Sequence, residues 1–148
     1  MKCLYCSGDT KVIDKRDDDI EGITRRRREC LKCKRRFTTY ERPEIEIIVI
    51  KKDGNRESYD REKLRKGILK ACEKRPVSIE KIEKEISKIE EKLRKKGKEV
   101  ESRYIGELVM KSLKKVDKVA YVRFASVYKE FKDIDDFKEV LRVISKKA

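Results

Sequence analysis

Cys3-x-x-Cys6 and Cys30-x-x-Cys33 lie 23 residues apart, and the fifth cysteine, Cys72, stands alone. Two such knuckles, joined by enough chain to fold one onto the other, supply four thiolates to a single tetrahedral site. Thiolates are soft ligands, and an all-sulfur, redox-inert shell suits Zn²⁺. A rubredoxin-like or iron–sulfur site and four unmetallated cysteines are the competing readings. Histidine is absent, so mixed Cys/His shells are excluded. Four thiolates fill the shell, which points to a structural site with one ion per subunit and no open catalytic position. A module this small has little core of its own, so metal binding and folding are expected as one event.

The second chemical feature is arginine. From Asp9 to Glu21 there are six acids and three bases, but from Arg25 to Arg42 nine bases and two acids. Arg25, Arg26, Arg27 and Arg28 on an extended strand alternate faces, so about two reach one surface while the others flank it. Arg35 and Arg36 follow the second knuckle. Arginine grips phosphate, or reads a guanine edge, with two parallel hydrogen bonds. A solvated basic surface is the plain alternative, and a metal-rigidified scaffold favours the nucleic-acid face. Phe37 and Tyr40 are expected in the small core rather than on bases.

The third is a hairpin of cations. VIKKDGNRESYDREK joins a strand, a tight Asp53-Gly54 turn, a short strand and a helix start. Folding it back can bring Lys51, Lys52 and Lys63 around one phosphate chain, with Glu57 or Asp60 accepting from a ribose or base. Neither a GxxxxGK loop nor a GxGxxG turn is present, and surface lysines around a hairpin remain the alternative.

The elements that must position these groups follow from pattern. Extended stretches are expected at Thr10 to Lys15, Thr24 to Glu29 and Arg36 to Tyr40, with the acidic run Asp17 to Asp19 in a loop. Pro43 then interrupts, and IEIIVIKK from Ile45 reads as an apolar strand, which places a boundary between Pro43 and Ile48. After a short strand from Arg56 to Tyr59, helices take over. Asp60 caps one that carries Leu64, Ile68, Ala71 and Cys72 and stops at Arg75-Pro76. Ser78 caps a second, with Ile79, Ile82, Ile86, Ile89 and Leu93 in a stripe ending near Gly97. A third opens at Ser102, a fourth runs from Asp117 through Phe131, and a fifth holds Phe137, Val140, Leu141 and Ile144. The fold class is therefore a small all-β zinc ribbon over residues 1–46, followed by an α+β, mostly helical domain over residues 47–148 with a short β-hairpin. Cys72 reads as a buried small hydrophobe, and Tyr121 and Phe124 as core or subunit interface.

Composition sets the broad class. Hydrophobic residues are 37% and charged residues 49%, enough for amphipathic helices with solvated outer faces but lean for one large core. Lys and Arg number 43 against 29 Asp and Glu, a formal charge of +14. Four thiolates and one divalent cation together contribute −2, which lowers the total to +12. That balance suits a polyanionic partner, although interleaved Lys and Glu also fit a heat-adapted surface. Met1 to Cys6 leads straight into the metal motif, and no apolar run approaches the roughly 20 residues of a membrane span. A cytoplasmic protein without a membrane partner is expected, in a compartment where paired cysteines serve metals rather than disulfides. An enzyme is not expected: no histidine, phosphate loop or carboxylate cluster supplies a reaction centre. An RNA-binding zinc ribbon would explain the arginines but leaves the hairpin without a role.

The chain resembles the NrdR family, bacterial repressors of ribonucleotide reductase genes. The resemblance is carried by CxxC followed by DTKVID, RRRREC, CxxCxxRFTTYE, KKDGNRESYDREKL, GILKACEKRPVS, IGELVM and DKVAYVRFASVYKEF, in family order over roughly residues 1 to 139. It implies a zinc ribbon followed by an ATP-cone, a nucleotide-binding module also found at the front of many ribonucleotide reductases. Cys3, Cys6, Cys30 and Cys33 take the ligand positions. Arg25 to Arg28, with Arg35 and Arg36, occupy the segment facing double-stranded operator DNA. Val49, Lys51, Lys52, Glu57, Lys63 and Tyr128 are implicated around the nucleotide. The implied mechanism reads ATP against dATP, changes subunit association, and thereby presents ribbons with the spacing that paired operator boxes need. A ribbon this small makes few base contacts, so specificity requires several in fixed register. The chain departs from the pattern at Ser7 and Lys34, where glycine is frequent after a knuckle, and at Tyr59, where phenylalanine is usual.

Overall fold

Short β segments around the cysteines and five helices after them, four of them opened by a side-chain cap, give two separate bodies. In a computed structural model describing residues 1–146, the chain divides into compact units Met1–Glu44 and Ile45–Ala148. Lys147 and Ala148, the end of the expected second domain, lie outside the described residues.

The first unit is a three-stranded antiparallel sheet in the order β1-β2-β3, with β1 Thr10–Asp18, β2 Ile23–Cys30 and β3 Arg36–Glu41. β1 runs further than its expected end at Lys15. Asp17 and Asp18 therefore lie in the strand rather than in a loop: Asp17 pairs with Thr24 and accepts its hydroxyl at 2.8 Å. Asp18 then closes the turn by accepting the Ile20 and Glu21 amides. The register slips between Val12 and Asp14, a bulge that leaves Ile13 without a partner on β2.

The second unit begins with β4 Ile48–Ile50, β5 Arg56–Ser58 and helix α1 Arg61–Ala71, continues through α2 Ile79–Lys96, β6 Glu99–Glu101 and α3 Ser102–Val116, and closes with α4 Lys118–Tyr128 and α5 Ile134–Ser145. Its sheet has the order β5-β4-β6, with β5 antiparallel and β6 parallel to β4. The expected apolar strand from Ile45 narrows to three residues, and β6, absent from the sequence reading, covers its other edge. Val49 and Val100 face each other across that pair, and both are buried.

The helical stops and caps follow local chemistry. Asp60 accepts the Glu62 and Lys63 amides, and Ser78 accepts the Lys81 amide. Ile82, Ile86, Ile89 and Leu93 of α2 enter the core, but Ile79 is exposed, because the first turn precedes the packed stretch. α1 ends at Ala71 rather than Arg75-Pro76: Cys72 caps it, and Lys74 turns the chain in the left-handed region at φ 59. α4 likewise stops at Tyr128 rather than Phe131. Glu130 adopts φ 53, and the Phe131 amide reaches back to Ser126 O at 3.1 Å, a Schellman closure. In α5, Val140 and Ile144 are buried, while Phe137 and Leu141 stay half-exposed.

Candidate functional site

The two knuckles are built alike. In the first, the Ser7 amide donates to Cys3 O at 3.0 Å, the Cys3 amide to Gly8 O at 2.8 Å, and the Tyr5 amide to Cys3 Sγ at 3.4 Å. In the second, Lys34 donates to Cys30 O at 3.1 Å, Cys30 to Arg35 O at 2.9 Å, and Lys32 to Cys30 Sγ at 3.4 Å. Ser7 and Lys34 hold φ values of 57 and 62. The left-handed turn that glycine would take freely is thus made by other residues, and the knuckle survives the substitution. Gly8 has its own reason: a Cβ there would meet the Cys6 and Cys30 sulfurs at 3.3 Å.

All four sulfurs lie within 4.8 Å of one another. Cys3 and Cys33 approach to 3.7 Å and Cys6 and Cys30 to 3.5 Å. A regular tetrahedron with Zn–S bonds of about 2.3 Å has edges of about 3.8 Å, so the set fits one zinc ion, whereas disulfides need about 2.05 Å. The environment divides the thiols. Amides of Cys33 and Lys32 bring Cys30 down to about 6 against its burial. At Cys33 the Arg35 amide also lowers the thiol, but burial and the sulfurs of Cys30, Cys6 and Cys3 outweigh it and push it up to about 11. Four sulfurs this close resist ionising together, and a divalent cation is what allows it.

The central strand of the ribbon sorts the arginines. In the register, Arg25 pairs with Tyr40, Arg27 with Thr38 and Glu29 with Arg36, and these share one face. Arg26 and Arg28 share the other with Phe37. Arg27 donates to Thr38 Oγ1 at 2.9 Å, Arg36 to Glu29 at 2.9 Å, and Arg25 approaches Asp14 at 3.9 Å. Arg26 instead donates to Glu41 at 3.2 Å, while Arg28 reaches Thr10 at 3.5 Å, and its buried Nε lacks a hydrogen-bond partner among the described residues. Arg35 stacks over Tyr5 at 4.8 Å. Phe37 is buried as expected, but Tyr40 is 55% exposed. Its place on the open face, opposite Arg25, corrects the expectation of a core tyrosine. Lys11, 3.5 Å from Glu29, adds a cation to that face that the sequence reading passed over.

In the second unit the hairpin turns on Asp53, which accepts the Asn55 amide, and on Gly54 at φ 86. Glu57 then meets both Lys51 and Lys63 at 3.2 Å. Lys52 lies over the Tyr128 ring at 6.0 Å, so the last of the candidate side chains arrives from α4, beside the hairpin. The Tyr128 hydroxyl donates to Arg103 O at 2.9 Å, and its ring stacks on Phe124 at 5.9 Å. Both rings line a groove of about 550 Å³ between α1 and α4, within the range of small-ligand sites. Val49 stands apart: its side chain is in the core, and only its backbone, paired with Glu57 and Val100, faces this region.

Residues 1–41 match the family described as the N-terminal domain of NrdR-like transcriptional repressors, and residues 47–134 match the ATP cone domain. Proteins named transcriptional repressor NrdR match over almost the whole chain. That of Thermotoga neapolitana is 53% identical over 149 residues, covering 99% of this chain and 96% of its own. Those of Petrotoga mobilis and Symbiobacterium thermophilum are 58% and 55% identical, covering 96% and 99% of this chain and 97% and 99% of their own. The chain belongs to the NrdR family. These NrdR relatives are named as regulators rather than enzymes, a zinc ribbon implies DNA as partner, and an ATP-cone binds adenine nucleotides as regulatory ligands. No described helix is long and apolar enough to cross a membrane.

One departure from the NrdR pattern acquires a partner. Tyr59, where phenylalanine is usual, donates to the buried Glu90 at 2.9 Å, and burial beside that carboxylate raises its hydroxyl far above the ordinary range. Glu90 also receives Arg61, and Arg61 and Arg65 share Glu83. This network ties the exit of β5 and the first turn of α1 to α2, and so fixes the segment between Glu57 and Lys63.

Proposed function

We propose that this NrdR-family chain represses ribonucleotide reductase genes by binding operator boxes in duplex DNA, with the choice of ATP or dATP on its cone deciding which homo-oligomer forms. Lys51, Lys52 and Lys63 hold the phosphates, Glu57 senses the ribose, Tyr128 offers a ring face to the base, and Val49 contributes backbone from the central strand. The observation that carries this reading is the shared carboxylate. Glu57 occupies Lys51 and Lys63 at 3.2 Å each, so a triphosphate takes over those cations and releases Glu57 to the sugar. ATP and dATP differ by one hydroxyl, which a carboxylate can accept from and a lysine on phosphate cannot.

On the ribbon, Arg25, Arg27 and Arg36 contact the duplex from one face. Arg26, Arg28 and Arg35 act at its flank, and zinc on Cys3, Cys6, Cys30 and Cys33 keeps the strand rigid. Coupling requires the nucleotide to bind one assembly better than another, since equal affinity shifts nothing. The protein works in the bacterial cytoplasm, at the nucleoid when bound to DNA. Sizing the full chain with ATP, with dATP and with neither tests the scheme: distinct assemblies support it, and one assembly in all three conditions removes the proposed switch.

A further inference from the structure

The NrdR reading leaves unused a groove of about 360 Å³ between α2 and α3. Six lysines line it: Lys81, Lys88 and Lys92 from α2, and Lys111, Lys114 and Lys115 from α3. All six are exposed. One acid, Glu85, stands among them. It is already engaged by Lys81 at 3.3 Å, Lys88 at 3.0 Å and the Ser112 hydroxyl at 2.7 Å. Lys111, Lys114 and Lys115 meet no acid among the described residues, and Lys92 feels the carboxylate of Glu91, its neighbour in the chain, without forming an ion pair with it. This differs from the far end of α2, where Lys95 pairs with Glu91 at 2.8 Å in the ordinary manner of a solvated helix.

Favourable placement near the C-terminus of α3 accounts for Lys114 and Lys115. It does not account for Lys88, Lys92 and Lys111, which lie in helix interiors. Within each wall, Lys88 and Lys92, or Lys111 and Lys115, are four residues and so about 6 Å apart along the axis. Two such rows suit an extended chain of anions better than one compact triphosphate, which needs cations converging on a point. The floor, Ile89 and Leu108, is buried and belongs to the core, and the charge the groove offers a ligand comes from the ammonium groups on its walls.

We propose that this lysine groove is a second contact of the protein with duplex DNA, holding sugar–phosphate backbone without reading sequence. It rests on the reading that the chain binds operator DNA, and it places part of the affinity outside the ribbon. Each phosphate neutralised contributes about 0.9 to the slope of log affinity against log salt.

The test compares the full, zinc-loaded chain with Lys92→Gln/Lys111→Gln/Lys114→Gln/Lys115→Gln, and with a control of equal charge, Lys66→Gln/Lys95→Gln/Lys129→Gln/Lys138→Gln. The probe is a duplex from upstream of a ribonucleotide reductase gene, titrated across salt, beside a scrambled duplex. The groove variant is expected to lose about 2 or more from its slope on both duplexes, so that the ratio of affinities at about 50 and 200 mM salt shrinks roughly fifteenfold or more. The control should keep the wild-type slope, and ATP affinity by calorimetry should stay unchanged in both. Equal slopes in the groove variant and wild type would overturn the proposal, as would equal losses in groove variant and control. Loss of ATP binding in the groove variant would assign the groove to free nucleotide instead. A wild-type chain that binds neither duplex removes the repressor reading and this inference with it, whereas wild-type binding with an unchanged groove variant removes this inference alone.

Discussion

Lys63 Nζ lies 3.2 Å from Glu57 Oε1, while Lys51 Nζ lies 3.2 Å from Glu57 Oε2. Lys51 first, and Lys63 after it, hold the Glu57 carboxyl below the usual carboxylate range, so it is ionised wherever ATP is fully charged. The three groups form one linked unit of net charge +1 that a triphosphate must reopen. Lys63→Ala is therefore expected to weaken ATP and dATP together, by about 1.5–3 kcal/mol for a lost charged contact. Glu57→Gln should instead change the ratio of the two affinities. Calorimetric titration of both variants with both nucleotides checks this, and wild-type affinities in Lys63→Ala would move the site away from the hairpin.

The strand register separates two kinds of arginine. Arg27 and Arg36 share the open face with Tyr40, whereas Arg28 has a buried Nε beside Phe37. Arg27→Ala and Arg36→Ala should weaken operator binding and keep zinc. A phosphate contact lowers the salt slope by about one, and a base contact costs about 1–3 kcal/mol at one position. Arg28→Ala should act chiefly on ribbon stability, through lost packing. Zinc content, thermal melting and DNA titration on the three variants distinguish these effects. Unchanged DNA affinity in both Arg27→Ala and Arg36→Ala would place the interface elsewhere.

Cys30 is fully buried and its sulfur accepts two amides, so it is both ligand and organiser of its knuckle. Cys30→Ser should release the metal and unfold Met1–Glu44, while the helical unit, with its own core, still melts cooperatively. Metal analysis and circular dichroism read the two halves of this expectation. One zinc per chain in the variant would contradict it.

Asp117 ends α3 and begins α4. Its carboxylate accepts the Ala120 amide at 2.9 Å and receives Arg75 Nε at 3.0 Å on both oxygens. Burial raises its pKa, but the Ala120 amide and Arg75 outweigh burial and leave it below the ordinary value. A depressed folded pKa gives stability that is present above the unfolded value of about 3.9 and lost as pH falls through the folded one. Asp117→Ala should cost about 1–3 kcal/mol at neutral pH, and the gap to wild type should narrow below about pH 4. Urea unfolding at both pH values measures it; a gap independent of pH would rule out the ionised carboxylate as its source.

Much of this architecture was legible because local chemistry and tertiary packing agree. Asp60 and Ser78 cap where their side chains predict, and the paired knuckles bring four sulfurs together whatever the strands do between them. What escaped was set by distant contacts. β6 is three residues, Glu-Val-Glu, that become a strand only because β4 offers an open edge and Val100 a place in the core. Tyr40 looked like core by composition, but the face of β3 is fixed by register with β2, which composition does not reveal. The approach of Tyr128 to Lys52, 76 positions apart in the chain, was readable only through resemblance, since periodicity alone cannot bring α4 to a hairpin. Lys74 and Glu130 end their helices in left-handed turns without the glycine that would have announced them.

That the nucleotide on the cone governs the grip of the ribbon on DNA is the core of the proposed function. It is tested most directly by titrating one operator duplex with the full chain saturated in turn with ATP and with dATP, at fixed salt and protein concentration. Clearly different affinities are expected, with the difference abolished in Lys63→Ala. Identical affinities in wild type, with both nucleotides demonstrably bound, would contradict it.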